Sequence, residues 1–109
     1  MTGTITARFV MPAAHPALPG HFPGRPVVPG VVLLDQVIAA ACRHFALGPA
    51  RALPRVKFLA PVVPEQEVVA EITRPDATRI AFTCRVAGTT VASGDINCVP
   101  YPGDVDSAP

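Results

Sequence analysis

The feature that most constrains the fold is a proline-rich segment followed directly by a long apolar run. Six prolines lie between positions 12 and 29, and with glycines at positions 20, 24 and 30 they exclude a regular helix and fix many φ angles. Apolar side chains within this segment favour an ordered loop. Residues 31–46 then contain no proline, which predicts a helix from near Gly30 to near Leu47. Its first three turns have almost no polar face, so we expect a helix enclosed on nearly all sides.

The rest of the chain carries strand patterns. Apolar and polar residues alternate over positions 4–11, which predicts a half-buried first strand. Further strands are predicted over 55–60, 68–73, 79–86 and 89–99, with a loop at 75–77 and a hairpin turn at Ala87-Gly88. We therefore predict an α+β domain over residues 1–100, with about five antiparallel strands around one central helix, and a flexible tail over 101–109.

Composition restricts the classes of function. Hydrophobic residues make up 50% of the 109 positions and charged residues only 16%, so we expect exposed apolar surface that meets another subunit. The formal net charge is +1 without a basic run, which argues against a nucleic-acid partner. The three cysteines have neither disulfide-framework nor zinc-site spacing, so no metal is expected. The apolar stretch 27–47 is interrupted by polar residues and no signal peptide is visible, which predicts a cytoplasmic protein without a membrane span.

One histidine and one aspartate suggest acid and base chemistry around the start of the helix. The first backbone N–H groups of a helix, here beginning near Gly30, lack internal partners and can polarise a thioester carbonyl. His21 could then accept the α-proton near neutral pH. Asp35, the only acid in the apolar run, must be buried to remain protonated and act as an acid. The residues alone leave a second interpretation open, in which His21 is a solvated structural residue and Asp35 is paired with a backbone group or an arginine.

Two sequence blocks extend this hypothesis. Residues 19–31 read PGHFPGRPVVPGV, with Asp35 following, and residues 56–64 read VKFLAPVVP. These blocks resemble the 3-hydroxyacyl-[acyl-carrier-protein] dehydratases of the FabZ/FabA type, with a likeness that covers roughly residues 5–99. The resemblance implies a hotdog fold, dimerised through continuous sheets, and dehydration of a 3-hydroxyacyl thioester to the trans-2-enoyl thioester without metal or bound redox cofactor. It implies these site residues: His21 and the partner subunit's Asp35 as catalytic groups, the Gly30 and Val31 backbone at the thioester, and Phe22 and Pro29 along the substrate tunnel.

The resemblance also implies an acyl carrier protein as partner. Such proteins are acidic, so docking needs cations at the tunnel mouth, and the candidates by position are Arg25, Arg43, Arg51, Arg55 and Lys57. Each of these could equally be a solvated surface charge. The subunits would form a homodimer or a dimer-based oligomer, with a heterodimer with a related subunit as an alternative.

This chain departs from the family pattern at one position of the helix. Ala39 stands where the family often has glutamine, one turn after the acid. A catalytically weak acyl-binding or scaffold subunit, which has lost efficient catalysis without this glutamine, is therefore one alternative function. A hotdog thioesterase, in which Asp35 activates water at the same polarised carbonyl, is the other. The lead-in at residues 15–19, which reads HPALP, resembles that of the compact dehydratases of the aryl-polyene or xanthomonadin pigment pathways.

Overall fold

The computed structural model describes residues 3–12, 27–45 and 47–99. The elements in chain order are β1 (Gly3–Val10), α1 (Gly30–His44), β2 (Ala50–Phe58), β3 (Glu67–Asp76), β4 (Arg79–Val86) and β5 (Thr89–Cys98). The predicted ordered loop after β1 and the predicted tail over 101–109 lie outside the described residues. Within the described residues, no helix is long and apolar enough to cross a membrane.

All five strands belong to one antiparallel sheet in the order β1-β3-β4-β5-β2. The predicted Ala87-Gly88 turn is confirmed, with φ of 50° at Ala87 and 82° at Gly88, the left-handed values that a two-residue hairpin requires. The predicted loop at 75–77 is shorter than expected. Strand β3 continues through Pro75 to Asp76, and a register shift between Thr73 and Asp76 accommodates the proline. The α+β hotdog arrangement expected from the sequence is confirmed.

The core lies between α1 and one face of the sheet. On the sheet side, alternate residues of the inner strands are buried, among them Ile72 of β3, Ile80 of β4 and Ile96 of β5, each at most 1% exposed. On the helix side, the buried residues are Val32, Leu33, Leu34, Val37, Ala40 and Ala41. The helix approaches β1 and β3 most closely. The alternation seen in the sequence therefore marks the buried face of the sheet correctly.

Strand β2 begins earlier than predicted. It starts at Ala50 rather than Arg55 and contains Pro54, with register shifts against β5 on both sides of Ala52. Proline has no N–H to donate, so within a sheet it is confined to edges and irregular pairings. Since β2 lies at the edge of the sheet and pairs only with β5 in the described part of the chain, Pro54 is tolerated there.

The expectation that the helix is enclosed on nearly all sides is wrong for the single chain. Val31 is 66% exposed, and Asp35, Ala39 and Cys42 are also exposed, at the spacing of one helix face. Leu53 and Phe58 of the neighbouring β2 are exposed as well, at 48% and 52%. We call the surface formed by Val31, Asp35, Ala39, Leu53 and Phe58 the α1/β2 face. The apolar residues in the first turns of α1 therefore serve two surfaces, the core and this open face.

Candidate active site

The start of α1 presents backbone donors, as the sequence predicts. Pro29 precedes the helix, and its carbonyl accepts hydrogen bonds from the N–H groups of Val32 at 3.0 Å and Leu33 at 3.2 Å. The N–H groups of Gly30 and Val31 have no acceptor among the described residues. The Val28 N–H donates to the Val62 carbonyl at 2.7 Å, which fixes the approach to the helix. Two unpaired donors therefore lie at the positive end of the helix dipole.

The two sequence blocks meet at this helix start. A cleft of about 570 Å³ is lined by residues 27–30, Leu33 and residues 58–62. Its volume lies in the range of small-molecule sites in proteins. Pro29 and Gly30, predicted to contact substrate, therefore line the cleft together with the second block, whereas Val31 lies on the α1/β2 face.

The ring of Phe58 packs against the backbone of Gly30, a contact that the sequence did not indicate. A Cβ atom added at Gly30 would lie 2.6 Å from Cζ and 2.9 Å from Cε1 of the Phe58 ring. Glycine was expected here because a ligand approaches the backbone closely, yet in the structure the ring of Phe58 is the close neighbour. Because the contact involves the far end of a half-exposed side chain, the ring has room to move away from the helix start.

Asp35 lies in a second groove, between α1 and the first half of β2. This groove, of about 440 Å³, is lined by Val31, Leu34, Asp35, Ile38 and residues 50–53. Asp35 is exposed in the single chain, so its predicted burial is wrong there. The physical reason is its position on the helix face that points away from the core of its own chain. The groove residues around it include the exposed side chains of Val31, Arg51 and Leu53, and no described residue covers it from outside.

The remaining predicted site residues do not form one cluster. His21, Phe22 and Arg25 lie outside the described residues. Arg43 is exposed in the last turn of α1, whereas Arg55 and Lys57 are exposed on β2. Arg55 and Lys57 are two positions apart, so their side chains lie on the same face of β2, and those of Val56 and Phe58 lie on the opposite face. The described docking candidates are thus solvent-accessible but lie on two different elements.

A polar cleft that the sequence did not indicate lies at the end of the sheet where β2 begins. Its lining residues are Arg51, Ala52, Asp76, Thr78, Arg79, Asn97 and Cys98. They come from β2, the β3–β4 hairpin and β5, which are distant in sequence. No linear motif could have found this cleft, although Arg51 was noted as a separate cation.

Comparison with known proteins assigns the family. The model of the ApeI-like family, described as ApeI dehydratase, matches residues 1–95. The chain belongs to the ApeI-like dehydratase family. The FabZ dehydratase of Rhizobium rhizogenes is 32% identical over 108 residues, covering 88% of this chain and 69% of the relative. The FabZ dehydratase of Pasteurella multocida is 28% identical over 106 residues, covering 81% of this chain and 66% of the relative. The chain thus spans about two thirds of the length of these relatives.

Solved structures support the hotdog fold of this ApeI-like chain. The dehydratase heterocomplex ApeI:P from Xenorhabdus doucetiae has a TM-score of 0.79 and 22% identity, covering 90% of this chain and 93% of that one. An uncharacterized protein from Erwinia carotovora subsp. atroseptica has a TM-score of 0.80 and 24% identity, covering 91% and 85%. The fluoroacetyl-CoA thioesterase FlK has a TM-score of 0.58 and 14% identity, covering 100% and 96%. At these identities the likeness concerns the fold alone.

Proposed function

We propose that the chain is a dehydratase that removes water from a 3-hydroxyacyl thioester, carried by an acyl carrier protein in the cytoplasm, and yields the trans-2-enoyl thioester. The observation that carries this proposal is the meeting of both family blocks at one cleft, beside the Gly30 and Val31 amides, which have no acceptor in the described part of the chain. Membership of the ApeI-like dehydratase family supports the same reaction.

Each step of the reaction has a candidate group. The amides at the helix start stabilise the negative charge that develops on the thioester oxygen. His21 accepts the proton from the α-carbon, and the electron pair of the broken C–H bond forms the new C=C bond. Asp35 donates a proton to the 3-hydroxyl group as its C–O bond breaks, so that the hydroxyl leaves as water. This division of roles requires one base and one protonated acid on opposite sides of the substrate.

The exposure of Asp35 supports a site shared by two subunits. We propose that a second subunit, identical or related, covers the α1/β2 face and brings its His21 to Asp35. The apolar residues Val31, Leu53 and Phe58 on this face are suited to such a contact because their burial favours association. A heterocomplex is the assembly of the Xenorhabdus doucetiae dehydratase. Exposed cations near the face, namely Arg43, Arg51, Arg55 and Lys57, are the described candidates for docking the acidic carrier protein.

Ala39 lies on the same exposed helix stripe as Asp35, one turn further along. Its methyl group supplies neither donor nor acceptor, so a glutamine at this position would add an amide beside the carboxyl group. We propose that this chain positions Asp35 through the surrounding groove instead. Replacement Ala39→Gln should therefore preserve dehydration, and a large gain in turnover would show that the alanine limits catalysis.

The proposal is tested with purified protein and 3-hydroxyacyl thioesters. Formation of the absorbing enoyl product is the expected result, and His21→Ala and Asp35→Asn should each lower the rate about 10²- to 10⁴-fold, the usual contribution of a general acid or base. His44→Ala and Glu71→Gln are matched controls, because both residues are exposed on other surfaces. Thiol release without enoyl product would instead indicate a thioesterase. Carrier-protein binding without turnover would indicate a scaffold subunit, and undiminished turnover in His21→Ala would contradict the proposed base.

A further inference from the structure

The polar cleft at the beginning of β2 is open to solvent and lined mostly by exposed residues. It has a volume of about 610 Å³, and its lining side chains come from β2, β5 and the β3–β4 hairpin. Asn97 of β5 pairs with both Ala52 of β2 and Arg79 of β4, and the pairing with β2 is irregular on either side of Ala52. The Cys98 N–H also donates to the Thr78 carbonyl at 2.7 Å. The lining side chains therefore project from hydrogen-bonded backbone rather than from a free loop.

The charges of this polar cleft do not cancel. Its carboxylate, Asp76, accepts hydrogen bonds from the Thr78 N–H at 3.0 Å and the Thr78 hydroxyl at 3.2 Å, and lies 3.7 Å from Nε of Arg79. The hydrogen bond from the Thr78 amide lowers the pKa of Asp76, which keeps the group ionised. Arg51 has no carboxylate within salt-bridge distance among the described residues. Two guanidinium groups thus face one carboxylate, and the polar cleft keeps a positive charge.

We propose that the polar cleft binds a phosphate group between Arg51 and Arg79. Guanidinium groups present paired N–H donors that match phosphate oxygens, and charge-assisted hydrogen bonds of this kind are strong. The side-chain amide of Asn97 adds a neutral donor in the same lining. The Asp76 carboxylate interacts with Thr78 and Arg79 of its own β3–β4 hairpin. It therefore does not pair with Arg51, and the Arg51 guanidinium remains available to the ligand.

The phosphate has two possible sources, and the structure favours one of them. Arg51 and Ala52 line both the polar cleft and the groove that contains Asp35, so the two spaces adjoin. A phosphate at the end of an extended thioester arm, as in 4′-phosphopantetheine, can therefore lie in the polar cleft while the arm continues along the groove. This assignment of the source rests on the proposed function, whereas phosphate binding itself does not.

The experiment measures binding to the full chain by amide chemical shifts and calorimetry. The probes are inorganic phosphate, 4′-phosphopantetheine and pantetheine without phosphate. Phosphate should shift the amides of Thr78 and Asn97, and Arg51→Gln should weaken its binding about tenfold or more, as expected for loss of a charged hydrogen bond. Arg8→Gln, on the far edge strand, is the control and should bind like the unmodified chain. Arg79→Gln should weaken phosphate binding as well, and Arg51→Gln decides the result if loss of the Asp76 contact prevents Arg79→Gln from folding.

The outcomes distinguish the phosphate site, the source of the phosphate and the dehydration reaction. Tighter binding of 4′-phosphopantetheine than of phosphate or pantetheine supports the thioester arm as the source. Equal affinities for the two phosphate-containing probes overturn that source and leave a site for free phosphate. Equal phosphate binding by Arg51→Gln and the unmodified chain, or no shift at Thr78 and Asn97, overturns the site even if dehydration is observed. Failure of dehydration with intact, Arg51-dependent phosphate binding overturns only the proposed function.

Discussion

The two edge strands of the sheet differ in how completely their own chain covers them. In β1, half-buried residues alternate with exposed ones, and Ile5, Ala7 and Phe9 pack against the core. In β2, every residue except Val56 is exposed. The helix accounts for this difference, because α1 packs most closely on β1 and β3 and leaves most of β2 uncovered. Strand β2 and the neighbouring side of α1 thus leave apolar residues exposed on both sides of the groove between them. The candidate acid Asp35 lies in this groove, on a surface that its own chain does not cover.

The largest expected effect is a difference in stability between a variant of the core and a variant of the α1/β2 face. Ile72 is fully buried in β3, so Ile72→Ala should lower the free energy of unfolding by about 2–5 kcal/mol. Leu53 is half exposed on β2, so Leu53→Ala should change the stability of the isolated subunit by roughly 0.5 kcal/mol or less, while weakening subunit association. Denaturant titration and analytical ultracentrifugation measure the two quantities. A Leu53 variant that unfolds as readily as the Ile72 variant, with unchanged association, would contradict the distinction.

A smaller effect is expected where β2 joins the sheet. Gly94 of β5 pairs with Val56 of β2, and an added Cβ would collide with the Arg55 carbonyl oxygen and lie 2.8 Å from the Val56 Cα atom. These neighbours are backbone atoms and cannot rotate away. Gly94→Ala should therefore destabilise the protein by about 1–3 kcal/mol and loosen β2 selectively.

Amide hydrogen exchange locates the Gly94 effect. Faster exchange confined to β2 and β5 is expected, whereas Ser93→Ala, at the preceding position, should leave the exchange rates of β2 nearly unchanged. Normal protection of β2 in Gly94→Ala would show that the strand can move away from β5 without loss.

The sequence predicted the self-contained region better than the open one. The strands β3 to β5 bury mainly alternate residues, so their period of two and the Ala87-Gly88 turn indicated where these strands lie, although β3 continues beyond the predicted range to Asp76. For α1, apolar residues around the whole helix indicated burial without indicating what covers it, and a partner surface has the same apolar signature as the core. The extent of β2 was missed because Pro54 was taken as a boundary. The polar cleft could not be predicted because pairing of strands that are distant in sequence creates it.

The smallest expected effect is a difference in thiol reactivity between the buried residues of the sheet and the exposed side of α1. Burial raises the pKa of Cys84 in β4 to about 11, and burial also raises the pKa of Cys98. Both thiols should therefore remain protonated and shielded at pH 8, while Cys42, which is exposed beyond the residues that define the α1/β2 face, is accessible. Pulsed alkylation followed by peptide mass mapping should label Cys42 first. Labelling of Cys84 as rapidly as Cys42 would contradict this prediction, because it would mean that β4 opens often enough to expose its buried thiol.

The most direct test of a site completed across the α1/β2 face mixes two inactive proteins. His21→Ala and Asp35→Ala should each lack dehydratase activity, because each removes one group from both sites of a homodimer. After subunit exchange, half of the dimers are hybrids with one intact site, so about a quarter of the unmodified activity should return. No recovery, with exchange demonstrated by mass spectrometry of the hybrids, would contradict a catalytic pair that spans two subunits.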